Sequence, residues 1–255
     1  MLFRVHAVRL LPHWFGRPIR DSRQARLLRR RIESNDRIRL ALGSSSHCTD
    51  GWIAAGCDQF DLVDPASWSW YFQKSSVDAI LAENVWEHLS RIEGKTAART
   101  CFQFLRPGGY LRVAVPDEFH PSQQYQNQLR NDGELGTTSP CALYNHHSFA
   151  EVFVSLGFQV RLIEFFDQAG VFHSNQWDVS KGLVQRTLLF DERNITQPFA
   201  YTSLVLDAFK PDSQAMGLVP ESCHASELEF PGGGKVAVAE DKQHGKQKDS
   251  YRDAA

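Results

Sequence analysis

The sequence predicts an α/β protein organised around one mostly parallel sheet. Three observations carry that expectation. From Arg37 onward, short β-rich runs alternate with helical patterns, and glycine or proline punctuates the changes. Two stretches carry the Ser-x-x-Glu signature that opens a helix. Several apolar runs end in glycine or a carboxylate, as strands do where a ligand site follows. The 255 residues, 42% hydrophobic and 23% charged, hold enough apolar material for one substantial core. No apolar run reaches the ~18 to 20 residues of a membrane-spanning helix.

In chain order, strands are expected at Arg37 to Leu42, Gly51 to Ala55, Phe60 to Val63, Val77 to Ala82 and Tyr110 to Val115. Ser90-Arg91-Ile92-Glu93 is a capping box for a helix running to about Leu105, where Pro107-Gly108-Gly109 stops it. Ser148-Phe149-Ala150-Glu151 reads as a second box, with Val152, Phe153 and Leu156 on one face and Gly157 in the stop position. Gln159 to Phe165 is the strand it feeds. Residues 166–200, rich in Asp, His, Asn and Gln, read as an insertion with one strand at Leu183 to Phe190. Tyr201 to Phe209 is the last strand, ended by Pro211. The domain therefore spans 37–211, preceded by a basic arm at 1–36 and followed by a largely disordered tail at 212–255.

Residues 1–40 carry eleven arginines against three acids, a net of +8, which leaves −10 for the rest of a chain whose total is −2. Such an arm suits a solvated helix, an anionic membrane surface, a nucleic acid or a transit peptide. No aromatic residue lies between Phe15 and Arg39, so the stacking platform of a single-strand binder is missing there. The acidic body excludes duplex nucleic acid as the main partner. The five cysteines form no C-x-x-C pair, and their odd number fits a reducing, cytoplasmic setting. Asn194-Ile195-Thr196 is a formal glycosylation sequon without meaning in that setting.

Ligands of an open parallel sheet bind beyond the carboxyl ends of its strands. Here those ends are Gly43 to His47, Gly56 to Asp58, Asp61 to Asp64, Glu83-Asn84 and Asp117-Glu118. Four of the five carry carboxylates, which suits a ligand with hydroxyls and amines, such as a nucleoside. His146-His147 with His120, His173, Asp117 and Asp167 matches no zinc spacing, so no metal is expected. His88, beside Trp86 and Leu89, reads as a packed histidine.

The order Arg39-Leu40-Ala41-Leu42-Gly43, Gly51-Trp52-Ile53, Asp61-Leu62, Val77 through Glu83-Asn84-Val85-Trp86-Glu87-His88-Leu89, and Leu105-Arg106-Pro107-Gly108-Gly109 through Asp117 resembles the class I S-adenosylmethionine-dependent methyltransferases. More narrowly, it resembles the small bacterial proteins of the methyltransferase-11 type, over about residues 37–210. The resemblance implies a Rossmann-like seven-stranded sheet, mostly parallel with an antiparallel last strand and helices on both faces. It also implies S-adenosylmethionine as cofactor. By position, Gly43, Ser44 and Ser45 would face the methionine part, Asp58 would stand in for the ribose-gripping acid, Asp61-Leu62 would read the adenine, and Glu83 with Asn84 would touch the methionine end. Ser45 and Ser46 stand where further glycines are usual, and Gly56 stands at the end of the second strand where an acid is usual.

The reaction expected is methyl transfer to a small polar acceptor, with His120, His146 or Asp117 as the base where one is needed. The eroded glycine loop motivates an alternative, a catalytically weak or inactive methyltransferase-like binding or scaffold protein. A nicotinamide enzyme on a similar sheet would want a G-x-G-x-x-G run that is missing. A peripheral contact of the arginine arm with membrane surfaces is a further expectation.

Overall fold

The computed structural model describes residues 23–43, 51–56, 59–131, 140–212 and 235–236. Ser44, Ser45, Asp58, the first 22 residues and nearly all of the expected tail lie outside the described residues.

Helix α1 (Arg23–Glu33) forms because Ala25 and Leu28 make an apolar stripe that is fully buried, with Ile32 half-buried beside it. Its other side exposes Arg23, Arg26, Leu27, Arg30 and Arg31. Strands β1 (Arg39–Leu42), β2 (Ile53–Ala55), β3 (Val77–Glu83) and β4 (Leu105–Pro116) follow, all parallel. Between β2 and β3 lies the short helix α2 (Pro65–Trp68), and between β3 and β4 lies α3 (Arg91–Phe104). After β4 come α4 (Gln123–Asn131), α5 (His146–Val154), β5 (Gln159–Phe166), β6 (Phe172–Ser174), α6 (Arg193–Thr196), β7 (Ser203–Phe209) and β8 (Lys235–Val236). The sheet order is β2-β1-β3-β4-β7-β5-β6-β8. Seven strands lie between Arg39 and Phe209, and the last of them, β7, runs antiparallel to both β4 and β5. This is the Rossmann-like arrangement of a mostly parallel sheet with an antiparallel last strand.

Strand alternation divides the sheet into two faces. Leu40, Leu42, Ile80, Ala82, Leu111, Val113, Val115, Leu204 and Leu206 point to one, where α1, α3 and α5 contribute Leu28, Ala97, Ala98, Cys101, Phe104, Phe149 and Phe153. Trp68 stacks on Phe104 at 5.3 Å and meets Phe60 at 4.7 Å, closing that core. The opposite face shows Ala41, Ala79, Leu81, Ala114, Ile163 and Val205, and it is covered by Trp52, Val184 and Trp177. Here the cover is the irregular chain between β6 and β7, which includes one 3₁₀ turn at Val179–Lys181.

Such a cover needs partners for its backbone polar groups. Sheet side chains supply them. The Tyr110 hydroxyl donates to the Lys181 carbonyl (2.9 Å), and Arg112 Nη1 donates to the carbonyls of Asp178 (3.0 Å) and Gly182 (2.6 Å). Glu83 accepts from the backbone N–H groups of Gln185 (3.2 Å) and Arg186 (2.8 Å), and Glu164 accepts from that of Leu188 (2.9 Å). Asn194 then ties the segment to itself, donating to the Thr187 and Tyr201 carbonyls and accepting from the Tyr201 N–H.

Three local expectations are corrected. Phe60 to Val63 is a turn, because the Asp61 carboxylate accepts from the Val63 N–H and the Asp64 carboxylate caps α2, with Pro65 at its first position. Leu183 to Phe190 is no strand, because its N–H groups are taken by Glu83 and Glu164 rather than by a neighbouring strand. The second capping box is Asn145 with Ser148, three residues earlier than expected, which puts His146 in the first turn of α5. The first box, Ser90 with Glu93, is as expected.

Candidate active site

The chain runs from β1 to β2 on one side and then crosses to β3 on the other, so the crevice of this sheet opens between the carboxyl ends of β1 and β3. Gly43 ends β1 at φ +78°, and a Cβ placed on it would lie 2.5 Å from Val85 Cγ2. Only glycine combines that backbone with that approach. Across from it, Asn84 also adopts a left-handed backbone, φ +55°. Its N–H donates to the Ala114 carbonyl (2.9 Å), while its Oδ1 is buried without a hydrogen-bond partner.

The structure thus brings Gly43, Glu83 and Asn84 together, but it does not leave them equivalent. The Glu83 carboxylate accepts from the N–H groups of Gln185 and Arg186, so it clamps the cover as well as standing at the end of β3. Burial pushes its pKa up, against the pull of those two N–H groups. Asp61 and Leu62 sit in the turn leading into α2, with the Asp61 carbonyl accepting from Trp68 Nε1 at 3.0 Å.

Each of the three expected bases also makes a structural bond. Asp117, fully buried at the end of β4, accepts from the Phe119 N–H (2.9 Å) and the Phe166 N–H (2.7 Å), joining the ends of β4 and β5. Burial pushes it up to about 7. His120 stacks on Tyr125 at 3.9 Å, and its Nδ1 accepts from the Ser122 N–H (3.2 Å), so its ring proton resides on Nε2. Burial lowers it to about 4. His146 bonds through Nδ1 to the Phe166 carbonyl (3.2 Å), packs on Phe165 at 4.6 Å and His147 at 4.0 Å, and is likewise lowered to about 4 by burial. A base needs an accessible lone pair, and neither Asp117 nor His120 has one to offer.

A different acid has an unused one. Glu87 lies in the 3₁₀ turn Trp86–His88 just beyond β3, is 3% exposed, and has no hydrogen-bond partner for Oε2. Burial pushes it up to about 8, with the charge of Arg186 lowering it and that of Glu83 raising it. Arg186 lies 5.4 Å from the Tyr201 ring centroid and is also held by the Tyr201 hydroxyl. In the sequence Glu87 is one residue of the run after β3 with nothing to mark it, and Arg186, about a hundred residues away, carries no signal. Among the described residues no group of three or more His, Cys, Asp or Glu is arranged to hold a metal ion. No described helix is long and apolar enough to cross a membrane.

These buried acids fix a pH dependence. Asp117, Glu164 (also about 7, from burial) and Glu87 hold protons in the folded chain at pH values where the unfolded chain has lost them. Stability therefore falls as pH rises from about 5 toward 8. His88, His120 and His146, all lowered by burial, act the other way and remove stability below about pH 6.5. The midpoint of thermal unfolding, followed by circular dichroism, is expected to be lower at pH 8 than at pH 6, equivalent to about 1–3 kcal/mol. A midpoint that rises over that interval contradicts the buried-acid account.

No family model and no curated protein matches the chain. It is similar to several solved structures. One belongs to the complex between the Haloferax volcanii Trm112 methyltransferase activator and the putative methyltransferase, at 13% identity and TM-score 0.42, covering 71% of this chain and 88% of that one. Another is a Thermotoga maritima SAM-dependent methyltransferase, possible histamine N-methyltransferase, at 11% identity and TM-score 0.41, covering 72% and 92%. A third is a SAM-dependent methyltransferase from Archaeoglobus fulgidus, at 11% identity and TM-score 0.41, covering 72% and 94%.

Proposed function

We propose that this chain is an S-adenosylmethionine-dependent methyltransferase acting on a small polar acceptor. The observation that carries the reading is the crevice at the strand reversal, where Gly43 meets Val85 without room for a side chain and Asn84 holds a buried, unpartnered amide oxygen. That pairing fits a polar ligand laid across the ends of β1 and β3. Gly43 and Asn84 would hold the cofactor, with Ser44, Ser45, Asp58, Asp61 and Leu62 in the positions the resemblance implies. When bound, the cofactor supplies a methyl group already activated on sulfur. The chain's own part is to orient the acceptor, exclude water and handle its proton.

Calorimetric titration with S-adenosylmethionine and S-adenosylhomocysteine tests the reading. Both are expected to bind the wild type, and Asn84→Ala is expected to weaken both about tenfold, as loss of one buried hydrogen bond to a charged ligand does. The engagement of Glu83 by the cover favours one rival, a methyltransferase-like scaffold whose site has been put to structural use. Absence of binding by the wild type would establish that rival instead.

A further inference from the structure

We propose that Glu87, framed by Tyr125, Tyr144, Tyr201 and Arg186, takes the proton from a hydroxyl-bearing acceptor. The inference rests on the methyl-transfer reading of the crevice and adds the acceptor's chemical class. Its geometric basis is a pair of buried polar atoms with unused hydrogen-bonding capacity in and next to the turn that follows Asn84. Glu87 Oε2 has no partner, and neither has the buried Tyr144 hydroxyl. The Tyr125 hydroxyl accepts from the Asp117 N–H (2.9 Å). The Glu87 carbonyl accepts from the Cys141 and Ala142 N–H groups (2.7 and 3.1 Å), which ties the chain leading to Tyr144 to this turn, and Tyr201 packs on Tyr125 (4.8 Å) and under Arg186 (5.4 Å). The charge of Glu87 helps to raise all three phenols. Buried polar atoms left unpaired cost stability, and their persistence together is expected where a ligand completes them.

The chemistry selects hydroxyl acceptors. A neutral amine attacks a sulfonium methyl unaided and sheds its proton afterwards, whereas a hydroxyl is a poor nucleophile until its proton is removed. In the step, Glu87 carboxylate takes the acceptor's O–H proton as the oxygen forms a bond to the methyl carbon. The carbon–sulfur bond breaks with its electron pair going to sulfur, leaving a neutral thioether, a methyl ether and a protonated Glu87. Charge balances, since the sulfonium's positive charge is lost as the carboxylate's negative charge is neutralised. The groups facing Glu87 are Glu83 from β3, Arg186 from the cover, Tyr125 from α4, Tyr144 before α5, Tyr201 before β7, and His88 beside it, whose Nε2 lies 3.9 Å from Oε1. Arg186 offsets Glu83, so an uncharged acceptor suits the site better than an anion. Burial holds Glu87 protonated up to about pH 8, so the base form accumulates only above that value.

The test uses the full chain, S-adenosylmethionine carrying a radiolabelled methyl group, and phenol, catechol and methyl glucoside as probes between pH 6 and 9. Wild type is expected to methylate at least one probe at a rate that rises with pH and levels above about 8. Glu87→Gln is expected to lose about 100-fold or more in kcat and the pH rise with it, while its affinity for S-adenosylhomocysteine stays within about twofold of wild type. Glu87→Asp should keep the pH rise at a reduced rate, and it serves as the test where the Gln variant does not fold. Wild-type rates and pH profile in a folded Glu87→Gln overturn the inference. So does a wild type that binds S-adenosylhomocysteine and methylates none of the three probes. A wild type that binds no cofactor fails differently, removing the crevice reading itself and this inference with it.

Discussion

Arg112→Ala is expected to lower the stability of the folded chain by about 3–5 kcal/mol, the usual consequence of removing one member of a buried ion pair. Arg112 is fully buried in β4 and meets Asp207 of β7 through two hydrogen bonds, Nε to Oδ1 at 2.7 Å and Nη2 to Oδ2 at 3.0 Å. Its remaining nitrogen holds the Asp178 and Gly182 carbonyls, and its guanidinium lies 4.8 Å from the Trp177 ring centroid. Truncation would leave Asp207, 1% exposed, with Arg161 alone, a side chain about half in solvent. It would also leave two carbonyls of the cover without their donor. Urea unfolding of the variant checks this, and Arg112→Met with Asp207→Leu separates the terms. The double variant removes both charges and is expected to recover about half of the loss, the rest being the orphaned carbonyls. A single variant within about 0.5 kcal/mol of wild type would show that the pair and the cover are energetically unimportant.

Gly43→Ala is expected to weaken cofactor binding by at least about tenfold and to cost about 1–2 kcal/mol of stability from the left-handed backbone alone. The overlap with Val85 Cγ2 adds to this and displaces the turn that carries Asn84. Adding Val85→Ala to Gly43→Ala relieves the overlap but not the backbone cost, so partial recovery is the expected outcome of calorimetry and thermal unfolding. Unchanged affinity for S-adenosylhomocysteine in Gly43→Ala would detach the cofactor from this crevice.

The parts of the fold that could be read from sequence are those whose signals are local. Ser90 and Glu93 mark α3 because both halves of a capping box lie within one turn, and β3 and β4 are marked by the apolar stretches Ala79 to Ala82 and Val113 to Val115, buried on both faces. Asn145 and Ser148 are both residue types that cap a helix, and the choice between them depends on backbone angles that composition does not carry. Leu183 to Phe190 has a strand's composition, yet its N–H groups are claimed by carboxylates from β3 and β5, residues 103 and 24 positions away at Arg186 and Leu188. The crevice was legible through Gly43 and the Glu83-Asn84 step. The acid at its edge was not, because the properties that distinguish Glu87 are burial and an unpaired oxygen, and these arise only when α4 and the residues before α5 and β7 close around it.

The cover's reliance on sheet side chains for its backbone partners sets an order of events during folding. A strand added to an edge can pair as soon as its neighbour is extended, but this segment takes its sheet acceptors from Glu83 and Glu164 and its sheet donors from Tyr110 and Arg112, residues of β3, β4 and β5 that come into place only once those strands and β7 are in register. Closing so long a loop before those registers exist has an entropic cost and no compensating bond. The second face is therefore sealed late, and until then the chain passes through a state with one finished core and one bare apolar sheet surface, the form of this protein most exposed to aggregation.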